Sequence, residues 1–395
     1  MKIKFSLRSK TVEKNDKTEE QAAVQSEVPA PVKPKKKESA TWKRAKVLLR
    51  IFLRFTRLFL IVTLGIVIIA GIILAIVHRA KLSSEKEYLI MNGIQVEVDG
   101  RYLHVVKGGP EDSEVTVLFL HGDRTSDDCV ALKPLFKELE EKISYCYVDR
   151  SGVGFSDESD GGDRDVDTII EETRKAAEAA GKKGPYVLVP QGTAGIMAIH
   201  WANKYSDEVK GIFGIGMAYP EQFEGMEPGD YLTFGDWFTK FFFSIGGVRL
   251  FSGMKPSDPA GIYTGTEMNT RSALINRGAF TSDMYNEDKK MVEAAILAME
   301  EGWPKDIPIE LMYGNPLEEP YLSLDEDTKS RLESVQQQYP DEDFVGEYYE
   351  EVRDFIKDKE NVSIKEIPGP VRLTIYAPKE IASELLNFVQ NAVTK

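Results

Sequence analysis

The most conspicuous stretch of the chain is apolar without any period. From Leu58 to Val77, twenty consecutive residues carry no charge. At about 1.5 Å of rise per helical residue they span about 30 Å, the hydrocarbon thickness of a bilayer. This predicts a transmembrane helix over 58–77. A cleaved signal peptide does not fit, because its apolar core is shorter, starts near residue 1 and ends at small residues.

Beyond residue 88 short apolar runs alternate with amphipathic ones. Residues 94–98 and 102–106 read as strands around the turn Asp99-Gly100. Residues 115–120 form a continuous apolar run, as a strand buried on both faces does. Further strands are expected at 143–148, 186–189 and 209–215, with helices over 132–141, 168–180 and 194–203. After 218 the alternation stops, and aromatic and glycine-rich sequence continues to about 304. Strands at 307–313 and 362–367 and a closing helix over 379–393 complete the pattern. Alternating strands and helices predict a mostly parallel sheet covered on both sides, with 218–304 inserted as a helical cap. Tyr231, Phe234, Trp237, Phe238, Phe241, Phe242 and Phe243 fall at partly helical spacings in that cap. We expect them to form the buried face of cap helices; a membrane-grazing face is the lesser reading.

Charge separates the chain into compartments. The 395 residues carry a net charge of −14, yet residues 1–57 hold 16 Lys/Arg against 6 Asp/Glu, and the remainder holds 34 against 58. Residues 1–41 lack the apolar periodicity of a core and are expected to be a disordered basic tail. Residues 42–57 are a basic juxtamembrane segment with Lys43, Arg44, Lys46, Arg50, Arg54 and Arg57. The positive-inside rule then puts the N-terminus in the cytoplasm and residues 88–395 outside, with the lipid bilayer as partner of 58–77. The acidic domain argues against nucleic acid as a partner. Gly71 and Ala75 make a small-xxx-small pair through which the helix could dimerise.

Cys129 and Cys146 have no metal-ligand spacing. They read as two buried small side chains, with a disulfide as the alternative for an external domain. No cofactor or metal site is implied. The acidic run from Asp341 to Glu351 reads as a solvated helix face, lacking the loop spacing of a calcium site.

Three landmarks in order and register carry a resemblance. Leu118-Phe119-Leu120-His121-Gly122 ends a buried strand. Asp149-Arg150-Ser151-Gly152-Val153-Gly154-Phe155-Ser156 forms a Gly-rich loop. Tyr186-Val187-Leu188-Val189-Pro190-Gln191-Gly192-Thr193 runs into a helix. Over 88–395 the chain resembles the α/β-hydrolase superfamily, most of all membrane-anchored members found in Gram-positive bacteria. The resemblance implies the His-Gly turn, the Asp-Arg-x-Gly-x-Gly-x-Ser loop and the nucleophile elbow of that fold, with a histidine loop framed by Ile367-Pro368-Gly369 and Pro378-Lys379.

The departures are in the chemistry. Where the family has its serine stands Gly192, which keeps the strained turn and discards the nucleophile. The position of the general base falls on Val371, with Pro370 and Arg372 as neighbours, and no histidine occurs after His200. The position of the acid falls on Leu317, with Glu318 one residue away. His200 lies about 12 Å along its helix from the elbow. His121, His104 and His78 belong to a turn, a strand and the membrane edge. Thr193 follows the elbow, where its N–H is the expected oxyanion donor. The expectation is therefore a catalytically silent hydrolase fold that binds a ligand or an envelope partner, with His121, Gly122, Asp123, Gln191 and Thr193 as a vestigial oxyanion site. The competing expectation is a working hydrolase or lyase using Asp123, Arg124, Gln191 or Glu318.

Overall fold

The computed structural model describes residues 39–122, 124–250, 255–256, 258, 261–315, 350, 352–368 and 372–393. The chain divides into two compact units, 1–65 and 66–395. Helix α1, Ala40–Ser84, begins in the first and ends in the second. It is long and apolar enough to cross a membrane, with a mean hydropathy of 3.2 over its most apolar window and none of that window buried. The helix overruns 58–77 at both ends because neither flank contains Gly or Pro to stop it.

The second unit is built on one eight-stranded sheet. Its strands are β1 (Ile94–Val98), β2 (Arg101–Gly108), β3 (Thr116–His121), β4 (Ser144–Val148), β5 (Tyr186–Gly192), β6 (Val209–Met217), β7 (Ile309–Asn315) and β8 (Val362–Pro368). Their spatial order is β1-β2-β4-β3-β5-β6-β7-β8. The β1–β2 and β2–β4 pairs are antiparallel and every later pair is parallel. Asp99 and Gly100 both have positive φ (49° and 83°), the tight hairpin turn that Asp-Gly favours.

Successive residues of β3 serve opposite cores. Val117 and Phe119 pack with Leu135 and Leu139 of α3 (Lys133–Leu139) and with Leu385 and Phe388 of α11 (Pro378–Val393). Leu118 and Leu120 pack on the other side with α4 (Val166–Ala179), α5 (Ala194–Lys204) and α9 (Met291–Glu301). Each such side chain stabilises by about 2 kcal/mol. The two cysteines are free and buried. They belong to different cores, Cys129 to one and Cys146 to the other, so the disulfide alternative is excluded.

Between β6 and β7 the chain forms the cap: α6 (Phe234–Ser244), α7 (Gly265–Gly278), α8 (Ser282–Lys289) and α9. Two capping boxes start cap helices, Thr233 with Asp236 and Thr264 with Glu267. One expectation fails here. Phe234, Trp237, Phe238 and Phe241 do not pack into the cap; all four are exposed. It is the polar Asp236 and Lys240 that turn inward, onto Arg124 and the ring of Tyr285. The acidic run at 341–351 lies outside the described residues except for Glu350, which is exposed.

Candidate functional site

The site is assembled where β3 and β5 end. Gly192 closes β5 with φ +57°, in the left-handed region, and the β5–β6 register shifts there. The turn is pinned from both sides: the Gly122 amide donates to the Gln191 carbonyl (3.0 Å), and the Ala218 amide to the Gly192 carbonyl (2.8 Å). A Cβ on Gly122 would run into the backbone of Thr193 and Ala194, so glycine is required to bring the end of β3 against the start of α5. The sharp strand-to-helix elbow therefore exists without a side chain at its apex. Thr193 is already helical, and its hydroxyl donates to the Gly122 carbonyl at 2.7 Å. A peptide carbonyl is no base, so that hydrogen bond does not make a nucleophile of Thr193.

The histidine of the His-Gly turn is committed to a carboxylate. His121 Nδ1 lies 3.0 Å from Asp128, which also accepts from the Thr125 hydroxyl (2.9 Å) and faces Arg372 (3.5 Å). Burial pushes the Asp128 carboxyl up, but His121 and Arg372 outweigh it and hold the group well below the usual range. Next door, Asp127 is fully buried and takes its charge partner from the cap, Arg271 Nε at 2.8 Å. Burial and the neighbouring Asp128 raise its pKa, against the pull of Arg271. Arg372 stands one residue from the expected position of the base. A guanidinium there is a permanent cation and cannot accept a proton near neutral pH.

Between the elbow and α8–α9 lies an open cavity, lined by His121, Gly122 and Thr193 on the sheet side. Apolar walls come from Val166, Ile169, Ile196, Met197 and Met291. The rest of the lining is charged. Arg124 donates to Asp288 on α8 (2.7 Å) and to Asp236 on α6 (3.0 Å), with its guanidinium 4.5 Å from the Phe280 ring. Arg150 and Arg164 both reach Glu287, each at 3.0 Å, and Arg164 also grips Glu172. Asp288 is raised to about 6, because burial outweighs the opposing pull of Arg124. Such a mixture can hold a partly polar ligand in a fixed orientation.

Of the residues anticipated from sequence, His121, Gly122 and Thr193 come together at this cavity, and Gly192 sits at the elbow as expected. Gln191 is buried on the other side of β5, beside Thr374 and a smaller hollow. Asp123, Leu317, Glu318 and Val371 lie outside the described residues. His200 is held by Asp167 and Glu301, both at 2.8 Å, away from the elbow. Among the described residues one group could surround a metal ion: His104, Cys129 and Asp149, all buried. His104 and Asp149 already pair with each other (2.7 Å), and Asp149 also accepts from the Phe155 amide (3.1 Å). That arrangement supports the Gly-rich loop from beneath. Sequence reasoning missed Asp127, Asp128, Arg271 and Glu287. The one available signal was Ser126-Asp127-Asp128, five residues past a buried strand and too polar for an ordinary entry into the core.

No family model matches the chain. Over 159 residues it is 33% identical to the uncharacterized protein YbdG of Bacillus subtilis (strain 168), a match covering 40% of this chain and 48% of that one. The chain thus spans about half the length of the curated relative it matches. Solved structures are similar over more of it. A protein assigned as a lipase (Lip1) from Acinetobacter baumannii AYE covers 80% of this chain and 97% of its own at 16% identity, with a TM-score of 0.53. A loop variant of the haloalkane dehalogenase DbeA from Bradyrhizobium elkanii covers 76% and 97% at 15% identity and 0.51. An epoxide hydrolase mutant from Vigna radiata covers 75% and 98% at 14% identity and 0.52. Identities this low speak to fold alone. Sheet order, elbow and these likenesses together identify the second unit as an α/β-hydrolase fold.

Proposed function

We propose that the chain is a membrane-anchored, extracytoplasmic α/β-hydrolase-like protein that has given up serine catalysis and binds a ligand beneath its cap or an envelope partner. The observation that carries the reading is the elbow: Gly192 at φ +57° offers no side chain, and the Thr193 hydroxyl is spent on the Gly122 carbonyl. Acyl transfer through a covalent enzyme intermediate cannot begin at an elbow that carries no nucleophile. The anchor reading rests on the one long apolar helix and the basic residues before it. The test is direct. Purified full-length protein should neither hydrolyse short-chain p-nitrophenyl esters nor take up a fluorophosphonate, and Gly192→Ser alone should remain inactive. Covalent labelling of the native protein with turnover would overthrow the silent reading. The outward placement of 88–395 predicts that protease added to protoplasts degrades the domain and spares the tail.

A second reading is favoured by one observation. His121, with Nδ1 paired to Asp128, lines the same cavity as Asp288 at about 6. That is the makings of acid–base chemistry on a bound water, without a protein nucleophile. Turnover that escapes fluorophosphonate and disappears in His121→Gln would establish it.

A further inference from the structure

The exposed aromatics of α6 require an occupant. Phe234 is 77% exposed, Trp237 50%, Phe238 50% and Phe241 51%, and Phe234–Trp237 and Trp237–Phe241 lie ring to ring. On a helix these four positions fall within an arc of about 100°, and the charged Asp236 and Lys240 lie outside it. A soluble surface rarely carries so much aromatic area in one stripe.

What covers it follows from where the end of α6 is attached. Ile245, directly after α6, packs against α1 at Gly71, its Cδ1 3.9 Å from where a Gly71 Cβ would stand. Gly71 is six residues inside the end of the apolar run at Val77, so about 9 Å below its rim. The next residues climb out. Gly246 takes φ +100° against the His78 side chain, and Arg249 Nε donates to His78 Nδ1 at 2.9 Å. Arg249 also grips Glu85 with both terminal nitrogens, at 2.6 and 2.8 Å. The polar clamp thus begins at the first residue past the apolar run, and the apolar contact lies below it. Polar groups at the rim and apolar ones beneath are the order an interfacial segment needs.

We infer that α6 is seated in the outer face of the same bilayer that α1 crosses, with Phe234, Trp237, Phe238 and Phe241 among the lipid chains. The inference rests on the anchor reading above and adds a second membrane contact to it. It also gives Asp236 a role. From the inward side of a lipid-seated helix it holds Arg124 at the cavity (3.0 Å), so the bilayer surface becomes a support for one wall of the site.

The test uses the full chain with Trp42→Phe, reconstituted in phosphatidylcholine–phosphatidylglycerol vesicles. Of the remaining tryptophans, Trp201 and Trp303 are buried, at 0% and 8% exposure, so an additional Trp237→Phe isolates the Trp237 emission. Flotation with the vesicles checks the anchor first. Lipids brominated on the upper acyl carbons should then quench Trp237 at least twofold, and aqueous iodide should change it little. Quenching by iodide and not by brominated lipid overturns the inference and leaves the anchor standing. Quenching by neither, accompanied by crosslinked dimers, assigns the stripe to a second copy and overturns it too. Protein that fails to float removes the anchor and the seat together.

Discussion

The sheet and the cap differ in how much buried charge holds them. The sheet and its flanking helices are joined by apolar side chains, such as Leu118, Phe213 and Leu385, with no exposure to speak of. The cap shares that apolar packing through Leu274, Val292 and Ala295, and charge ties it down as well: Arg271 to Asp127, Arg124 to Asp288 and Asp236, and Arg150 and Arg164 to Glu287. Apolar burial is strong but undirected, and many arrangements satisfy it. Buried ion pairs add little net stability over apolar replacements, but they punish displacement, because a carboxylate left alone in the interior is costly. The cap is therefore both packed onto the sheet and registered on the site by charge, and Arg124, Arg150, Arg164, Glu287 and Asp288 among those charges line the cavity.

That contrast can be broken most severely by removing one partner from each side. Leu118→Ala should cost about 2–5 kcal/mol of the whole domain's stability, read as an earlier cooperative denaturant transition. Arg271→Ala should cost about 3–5 kcal/mol by orphaning Asp127, but the loss should appear first as faster amide exchange and proteolysis within 265–301, ahead of the sheet. Replacing both partners, Asp127→Leu with Arg271→Leu, should recover most of that loss. A double variant as unstable as Arg271→Ala would show that the pair contributes more than mutual compensation.

A smaller effect is expected with pH. The fold raises Asp288 to about 6, so it favours the protonated carboxyl. A carboxyl raised in this way contributes stability that is complete below its ordinary range near pH 4 and is lost as pH climbs through 6. For a shift of about two units that amounts to about 3 kcal/mol. Denaturation midpoints followed from pH 4 to 7 should carry this downward slope, and Asp288→Asn should flatten it. An unchanged slope would exclude Asp288 as its source. The smallest effect is at the elbow. Gly192→Ala forces a side chain into φ +57° and should cost on the order of 1 kcal/mol, with no change in any esterase readout.

The sheet was legible because its signals are local. A continuous apolar run predicts a strand buried on both faces, and the expected strand at 115–120 is found at Thr116–His121. The expected 209–215 and 307–313 are found at Val209–Met217 and Ile309–Asn315, and the closing helix at Pro378–Val393. Glycine at the elbow was legible for a similar reason, since only that residue takes the required turn freely. The cap's aromatic stripe was misread as core. Its spacing is the same whether the face meets protein or lipid, and nothing in a helical period distinguishes the two.

Sequence alone thus determined the apolar helix, the alternating sheet, the position of the cap insertion and the glycine at the elbow. Each depends on a residue and its near neighbours along the chain. Only the tertiary structure decided that His121 leans on Asp128, that Arg372 faces that carboxylate from near the expected position of the base, and that Arg271 crosses from the cap to Asp127. These partners stand seven, 244 and 144 residues apart, and a charge carries no mark in the sequence of which opposite charge it will meet. The choice is made when burial strips both of water and leaves pairing as the one arrangement they can afford.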